Sequence, residues 1–240
     1  GGSVSDWLWP VEGSTAPNDD EMRRFLQRHA HAIEMLHEAG ELPASELERQ
    51  YNPPAVTVLL PHLNKLRPLA KLLCLSARVH AAEGRVVEAM EDLSATLALA
   101  RHVSIQPALI ESLMAMAVEE LAFKTMNEIL ARGGQTSQSL DALQVSPMLS
   151  FAAAHQRSIK METAFGMHMF TMADPSSVLP ANAGVPKFPA IAFSPYRVFH
   201  WREDVEAYVR VMDRTIELSS MPYHEARPRW QELADKQQKE

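Results

Sequence analysis

Cysteine is almost missing from this 240-residue chain, which has only Cys74. A single thiol excludes an internal disulfide and any metal site built from several thiolates. Its neighbours in AKLLCLSAR are apolar, so we expect a small buried residue there and not a reactive thiol. Glycine is scarce too, at nine residues, and there is no phosphate-binding glycine loop, no Gly-x-Ser-x-Gly and no His-Glu-x-x-His. No catalytic residue and no cofactor is predicted from these motifs.

The chain also lacks an excess of basic residues and any long apolar run. Its formal net charge is −7, and proteins that bind nucleic acid need a concentrated basic surface, so we expect no nucleic-acid partner. No uninterrupted apolar run approaches the roughly 20 residues that span a bilayer. The most apolar segment, PALIESLMAMAVEELAFKTMNEIL, is interrupted by Glu111, Glu119 and Glu120. We therefore expect no membrane span.

The beginning of the chain suggests a removed segment. It starts with Gly1 and Gly2 instead of methionine, which resembles a cloning remnant. We expect that a native leader, such as a signal peptide or a membrane anchor, was cut away, and this favours an extracytoplasmic or periplasmic location. The lead that follows holds Trp7 and Trp9, which we expect to pack on the core because an exposed pair of tryptophans lowers solubility.

Helical periodicity is the main signal that the sequence does contain. Apolar residues recur three or four positions apart over 19–39, 69–83, 85–102, 107–131, 147–172 and within 200–240. Gly40 and Gly84 follow the first two stretches and are expected to end them. We therefore predict an all-α fold of antiparallel helical hairpins, packed as a bundle or a short α-α superhelix.

One long Pro-rich irregular segment interrupts this helical pattern. The predicted organisation is an extended lead at 1–18, a helical-hairpin core at 19–172, a Pro-rich connecting or lid segment at 173–199, and C-terminal helices at 200–240 that pack on the core. Together these parts are expected to form a single domain. The Pro-rich segment carries five prolines, which remove backbone donors, so it cannot continue a helix.

For two of the predicted helices, the sequence also predicts which residues are buried. The helix at 107–131 is apolar nearly all round, so we expect it at the centre of the fold. The helix at 85–102 is amphipathic, with one face for the core and one for water. Its expected buried residues are Val86, Ala89, Met90, Leu93 and Leu97, whereas Glu88, Glu91 and Asp92 are expected to face water.

Residues 70–103 resemble one tetratricopeptide-type helical hairpin. Leu73 and Ala77 match the first helix of that pattern, Gly84 matches its turn, and Ala89 and Leu93 match the second helix. His80 stands where the pattern has a large aromatic residue, and Arg101 stands where it has a closing proline. The resemblance covers one unit of about 34 residues. It implies packed antiparallel helices and a concave surface for a segment of another protein.

Ten histidines raise the question of a metal site. Glu34 and His37 have the Glu-x-x-His spacing that di-iron helical bundles use. Such a site needs a second Glu-x-x-His and two more inward glutamates, and no other glutamate here precedes a histidine at that spacing. No metal site is therefore predicted, and Glu34 and His37 are retained only as candidate ligands.

Aromatic side chains near the end of the Pro-rich segment suggest a binding surface. Phe188, Phe193, Tyr196 and Trp201 are more apolar than a free linker would be. The sequence favours a non-catalytic helical module that serves protein interaction or structure, with a protein partner. The alternative is a helical small-ligand-binding protein or enzyme whose pocket is covered by the 173–199 segment.

Overall fold

A computed structural model of the chain describes residues 19–43, 63–133, 141–143, 151–171 and 200–237. These residues form eight α-helices and no strand, which confirms the predicted all-α class. The helices are α1 (Asp19–Arg28), α2 (Ala30–Glu41), α3 (Leu63–Ala82), α4 (Val86–Ser104), α5 (Leu109–Arg132), α6 (Phe151–Thr171), α7 (Trp201–Ser219) and α8 (Tyr223–Gln237).

The helices fall into two compact units. The first unit contains α1 to α4 together with α5 from residue 110 onward, and the second contains α6 to α8. The single-domain organisation of the chain stays a prediction. The lead at 1–18 and the Pro-rich segment at 173–199 lie outside the described residues.

The α3–α4 hairpin contains most of the buried residues of the first unit. Gly84 has a φ of 78°, which glycine adopts without steric strain, and it ends α3 where the sequence predicts. The N–H of Arg85 donates to the carbonyl of His80 at 2.9 Å and closes the turn. So short a connection makes the two helices antiparallel neighbours. The core between them and α5 includes Ala70, Cys74, Leu75, Ala77, Ala89, Met90, Leu93, Ala100, Val118, Leu121 and Ile129.

The start of α3 differs from the predicted start at Leu69. Pro68 lies in the second turn of the helix and has no backbone N–H, so the one hydrogen bond that is missing is the bond to the carbonyl of Asn64. Leu63 and Leu66 precede it, are buried, and pack with residues of α4 and α5. The apolar area that these two leucines bury offsets the missing hydrogen bond, which is why the helix begins earlier.

The predicted single helix at 19–39 is two helices in the structure. The break is at His29, whose N–H donates to the carbonyl of Leu26 at 3.0 Å while its Nδ1 lies 2.9 Å from the carbonyl oxygen of Phe25. Gly40 does not end the second helix, which continues to Glu41. A Cβ built on Gly40 would lie 3.4 Å from the Cβ of Ala98, so the missing side chain allows α2 to pack closely on α4.

α5 lies at the surface of the first unit, and the prediction that it occupies the centre is wrong. One face is buried and includes Ala115, Val118, Leu121, Ala122, Thr125 and Ile129. Another face exposes Ile110 (50%), Leu113 (49%), Met116 (40%) and Phe123 (42%). A helix that is apolar all round is buried only if other helices surround it, and in the first unit α3 and α4 cover one side.

The second unit is organised around the contact between α6 and α7. The hydroxyl of Tyr208 on α7 donates to the carbonyl of Glu162 on α6 at 2.9 Å. Gly166 makes room for this phenol, because a Cβ at that position would lie 2.1 Å from the Tyr208 oxygen. The ring of Tyr208 also meets that of Phe170, with centroids 5.6 Å apart. α8 packs against α7, and Leu218 and Ala226 are buried in this unit.

Candidate functional site

The exposed apolar residues of α5 share one face of that helix. We call Ile110, Leu113, Met116 and Phe123 the α5 stripe. At 100° per residue they lie within an arc of about 140°, and at 1.5 Å per residue they extend over about 20 Å. Glu120 is exposed on the same face, between Met116 and Phe123. None of the helices that the structure describes, α5 included, is long and apolar enough to cross a membrane.

A shallow groove with a basic lining borders the same face of α5, because at 100° per residue Ala117, Glu120 and Lys124 lie within the arc of the α5 stripe. Its volume is about 230 Å³, and it lies between α3 and α5. The lining residues are Arg67, Lys71, Ala117, Glu120, Leu121 and Lys124. We call it the α3–α5 groove. Three of these side chains are basic and one is acidic.

A second cluster of polar residues is buried between α2, α3 and α4. The carboxylate of Asp92 is 1% exposed. Its Oδ1 lies 2.8 Å from Nε2 of His37 on α2, and its Oδ2 lies 3.1 Å from Nδ1 of His80 on α3. The His37 contact is a well-formed hydrogen bond, whereas the His80 contact is at ion-pair distance without hydrogen-bond alignment.

The charges of this cluster are set by its geometry. Burial acts to raise the pKa of Asp92, but the hydrogen bond from His37 and the neighbouring side chains of His80 and Ser76 outweigh burial and hold that pKa below its usual value. Asp92 is therefore an anion, and His37 donates to it. The hydrogen bond to Asp92 in turn raises the pKa of His37 above its usual value, against the effect of partial burial. The cluster is a buried ion pair that joins three helices.

His37 borders a groove of about 340 Å³ between α2 and α4. Glu41 and Glu91 also line it, and the rest of its wall is small residues: Gly40, Ser94, Ala95, Ala98 and Ala142. The hydroxyl of Ser94 lies 2.8 Å from the carbonyl oxygen of Met90 and 3.2 Å from that of Ala142. A serine hydroxyl that donates to backbone carbonyls is not activated as a nucleophile.

The structure separates the two candidate metal ligands. His37 is directed to Asp92, whereas Oε2 of Glu34 lies 3.5 Å from Nδ1 of His31. Among the residues that the structure describes, no group of three or more histidine, cysteine, aspartate or glutamate side chains could hold a metal ion. His37 thus serves helix packing in this arrangement.

Cys74 is buried as predicted, with no exposed surface. Burial raises the pKa of its thiol to about 11, although the side chains of Thr125 and Thr96 hydrogen-bond with it. A thiol with this pKa is almost entirely protonated at neutral pH and is a poor nucleophile. Cys74 therefore belongs to the core.

The candidate binding residues near the Pro-rich segment are only partly described. Phe188, Phe193 and Tyr196 lie outside the described residues. Trp201 begins α7 and is half-buried, and its indole Nε1 donates to the carbonyl of Phe170 at 2.7 Å. The side chain of Trp201 thus connects α7 to α6, and a binding role for these four residues stays a prediction.

Sequence reasoning missed Asp92, which it placed on the water-facing side of α4. The residue lies three positions after Ala89 and four before Thr96, and both of these are fully buried. A carboxylate on the same face as two buried small residues is a signal for a buried polar partner. The partner on α2 is 55 residues away in sequence, so no local pattern identifies it.

Comparisons with known proteins give no match for this chain among family models, curated proteins or solved structures. The tetratricopeptide-type resemblance of residues 70–103 therefore stays a prediction.

Proposed function

We propose that this chain is a non-catalytic helical interaction module that binds a protein partner through the α5 stripe. The observation that carries the proposal is the exposure of Ile110, Leu113, Met116 and Phe123 on one face of one helix. Single exposed apolar residues are ordinary, but Ile110, Leu113 and Met116 follow one another at i, i+3 spacing, and such a contiguous set marks an interaction surface. Phe and Met are also among the residue types enriched in protein interfaces.

The buried polar groups support a structural role over a catalytic one. Asp92 and His37 neutralise each other between helices, and Cys74 is kept protonated in the core. The hydroxyl of Ser94 beside His37 is engaged with backbone carbonyls. An interaction module needs a rigid scaffold, and a buried ion pair that fixes three helices contributes to that rigidity.

Site-specific photocrosslinking in cells of the source organism tests the proposal. A photoreactive phenylalanine analogue replaces Met116 in the α5 stripe, and in a second variant it replaces Asp213, which is exposed on α7. We expect a discrete protein adduct from position 116 and a weaker one or none from position 213. Leu113→Asn should abolish the adduct at position 116, because it removes a central apolar contact from the stripe.

A folding control separates lost binding from lost structure. Leu113 is half-exposed, so Leu113→Asn should change the free energy of unfolding by only about 0.5 kcal/mol. Thermal denaturation followed by circular dichroism measures this change. An adduct at position 116 that is no stronger than at position 213, or one that survives Leu113→Asn, would contradict an interaction through the stripe.

A further inference from the structure

A pocket of the first unit lies between α1, α3 and the end of α5. Its volume is about 240 Å³, and α5 contributes its last residue, Arg132, to the lining. Arg132 is nine residues after Phe123, or about 13 Å along the helix axis, so the pocket is separate from the α5 stripe. Pockets for drug-sized ligands measure about 300–1,000 Å³, so this pocket has the size for a smaller molecule.

The floor of the pocket is apolar. Leu75 and Val79 are four residues apart on one face of α3, and both are buried. Met22 of α1 is half-buried and also lines the pocket. Ala82 of α3 is exposed at the rim, where its short side chain leaves the pocket open. The pocket therefore offers a packing surface to an aliphatic group of a ligand.

Most of the charged residues at the rim are engaged with partners in the protein. Nε of Arg23 donates to Oε1 of Glu83 at 2.6 Å. Glu83 also accepts a hydrogen bond from Arg85, and Arg78 forms an ion pair with Glu128. These pairs shape the rim of the pocket and add little net charge to it.

Asp19 and Arg132 are the remaining charged residues of the lining, and both are exposed. Within the described ranges of the chain, neither forms a hydrogen bond or an ion pair with another side chain, and Asp19 acts on Arg23 only through its charge. One pocket thus presents a carboxylate from α1 and a guanidinium from α5 beside an apolar floor.

We propose that this pocket binds a free amino acid with an aliphatic side chain. The carboxylate of the ligand pairs with Arg132, its ammonium group pairs with Asp19, and its side chain packs on Leu75 and Val79. A zwitterion complements both charges of the rim, whereas a simple anion or cation would have one like charge beside it. This inference goes beyond the function proposed above and does not depend on the α5 stripe.

Three ligands with the same isobutyl group test the two charges separately. Leucine has both charged groups, 4-methylpentanoate lacks the ammonium group, and 3-methylbutylamine lacks the carboxylate. Saturation-transfer NMR at neutral pH measures the dissociation constant of each ligand with the full chain. We expect about 1 mM for leucine and about fivefold weaker binding for each analogue, because each analogue loses one ionic contact at an exposed site.

Two variants assign the ionic contacts to their residues. Arg132→Gln should weaken leucine about fivefold, so that leucine binds no better than 3-methylbutylamine. Asp19→Asn should likewise make leucine bind no better than 4-methylpentanoate. The matched controls are Arg227→Gln and Asp235→Asn, which make the same changes at exposed residues of α8 that do not line the pocket. The controls should leave all three dissociation constants within about twofold of those of the natural chain.

Ala82→Phe tests where the aliphatic group lies. Because Ala82 is exposed at the rim, the larger side chain should block the pocket with little change in melting temperature, which circular dichroism checks. Leucine should then bind at least about tenfold more weakly.

Two kinds of result would overturn the amino-acid site. One is leucine that binds no more tightly than either analogue, or shows no binding up to about 20 mM. The other is leucine binding that Arg132→Gln, Asp19→Asn and Ala82→Phe all leave unchanged, because the ligand then lies elsewhere on the chain.

Discussion

Replacing Asp92 with asparagine is the most direct probe of the three-helix ion pair. Asp92→Asn keeps the shape of the side chain and removes its charge, so packing changes little while the interactions with His37 and His80 weaken. Removing one partner of a fully buried ion pair costs about 3–5 kcal/mol. Here His37 is about one-third exposed, so solvent partly compensates for the lost interaction, and we expect a smaller loss of about 2–3 kcal/mol. For a chain of this size that loss corresponds to a fall in melting temperature of about 4–12 °C.

The pH dependence of stability distinguishes a lost charge from a packing defect. The pKa of His37 is raised in the folded state, so its stabilising contribution is fully present below its ordinary pKa of 6.5 and is lost as the pH rises through the raised value. The pKa of Asp92 is lowered, so its contribution is present above its ordinary value of 3.8 and is lost as the pH falls below it. Asp92→Asn should therefore destabilise the chain more at about pH 5.5 than at about pH 8.5.

Urea denaturation at the two pH values, followed by circular dichroism, measures both quantities. The control is Asp213→Asn, which makes the same change at an exposed carboxylate of α7 and should cost no more than about 0.5 kcal/mol. Other titrating groups, such as His102, whose pKa is lowered by burial, contribute equally to both variants and cancel in the comparison. If Asp92→Asn and Asp213→Asn have the same stability and the same pH profile, the ion pair does not hold the helices together.

Three further predictions concern packing. Gly166→Ala should destabilise the second unit by about 1–2 kcal/mol in thermal denaturation. The steric conflict with Tyr208 should exceed the gain of about 1 kcal/mol that alanine gives in helix propensity. An unchanged melting temperature would contradict the α6–α7 contact. Ala89→Leu should cost about 1–3 kcal/mol by overpacking the α3–α4 interface, and a variant as stable as the natural chain would show that this interface has spare room. Cys74 should not react with a disulfide reagent such as Ellman's at about pH 8 until denaturant is added, and rapid labelling of the native chain would mean that the thiol is accessible.

Local features of the fold could be predicted from the sequence because their causes are local. The positive φ of Gly84 requires glycine, so the end of α3 is encoded at that position. The burial of Ala77, Ala89 and Cys74 follows from the apolar periodicity of two adjacent helices. These signals involve residues within a few turns of one another.

The predictions that were wrong concern features that depend on tertiary partners. Gly40 continues α2 because α4 packs against it, and Asp92 is buried because His37 and His80 come from other helices. The position of α5 depends on how many helices surround it, which its own composition does not determine. The same holds for the basic groove, since Arg67 and Lys124 are far apart in sequence and become neighbours only when α3 and α5 pack.

The attachment of α2 to α4 has a thermodynamic consequence of its own. Neither α1 nor α2 has a fully buried residue, and the end of α2 is held by polar contacts. Arg101 donates to the carbonyl of Leu42 at 2.8 Å, and Nε2 of His102 donates to that of Ala39 at 3.0 Å, so side chains of α4 satisfy the last carbonyls of α2. Detachment of α2 would break these polar contacts together with the His37–Asp92 hydrogen bond, so its free energy should depend on pH. The amides of α2 should then exchange with solvent through a local opening that precedes global unfolding.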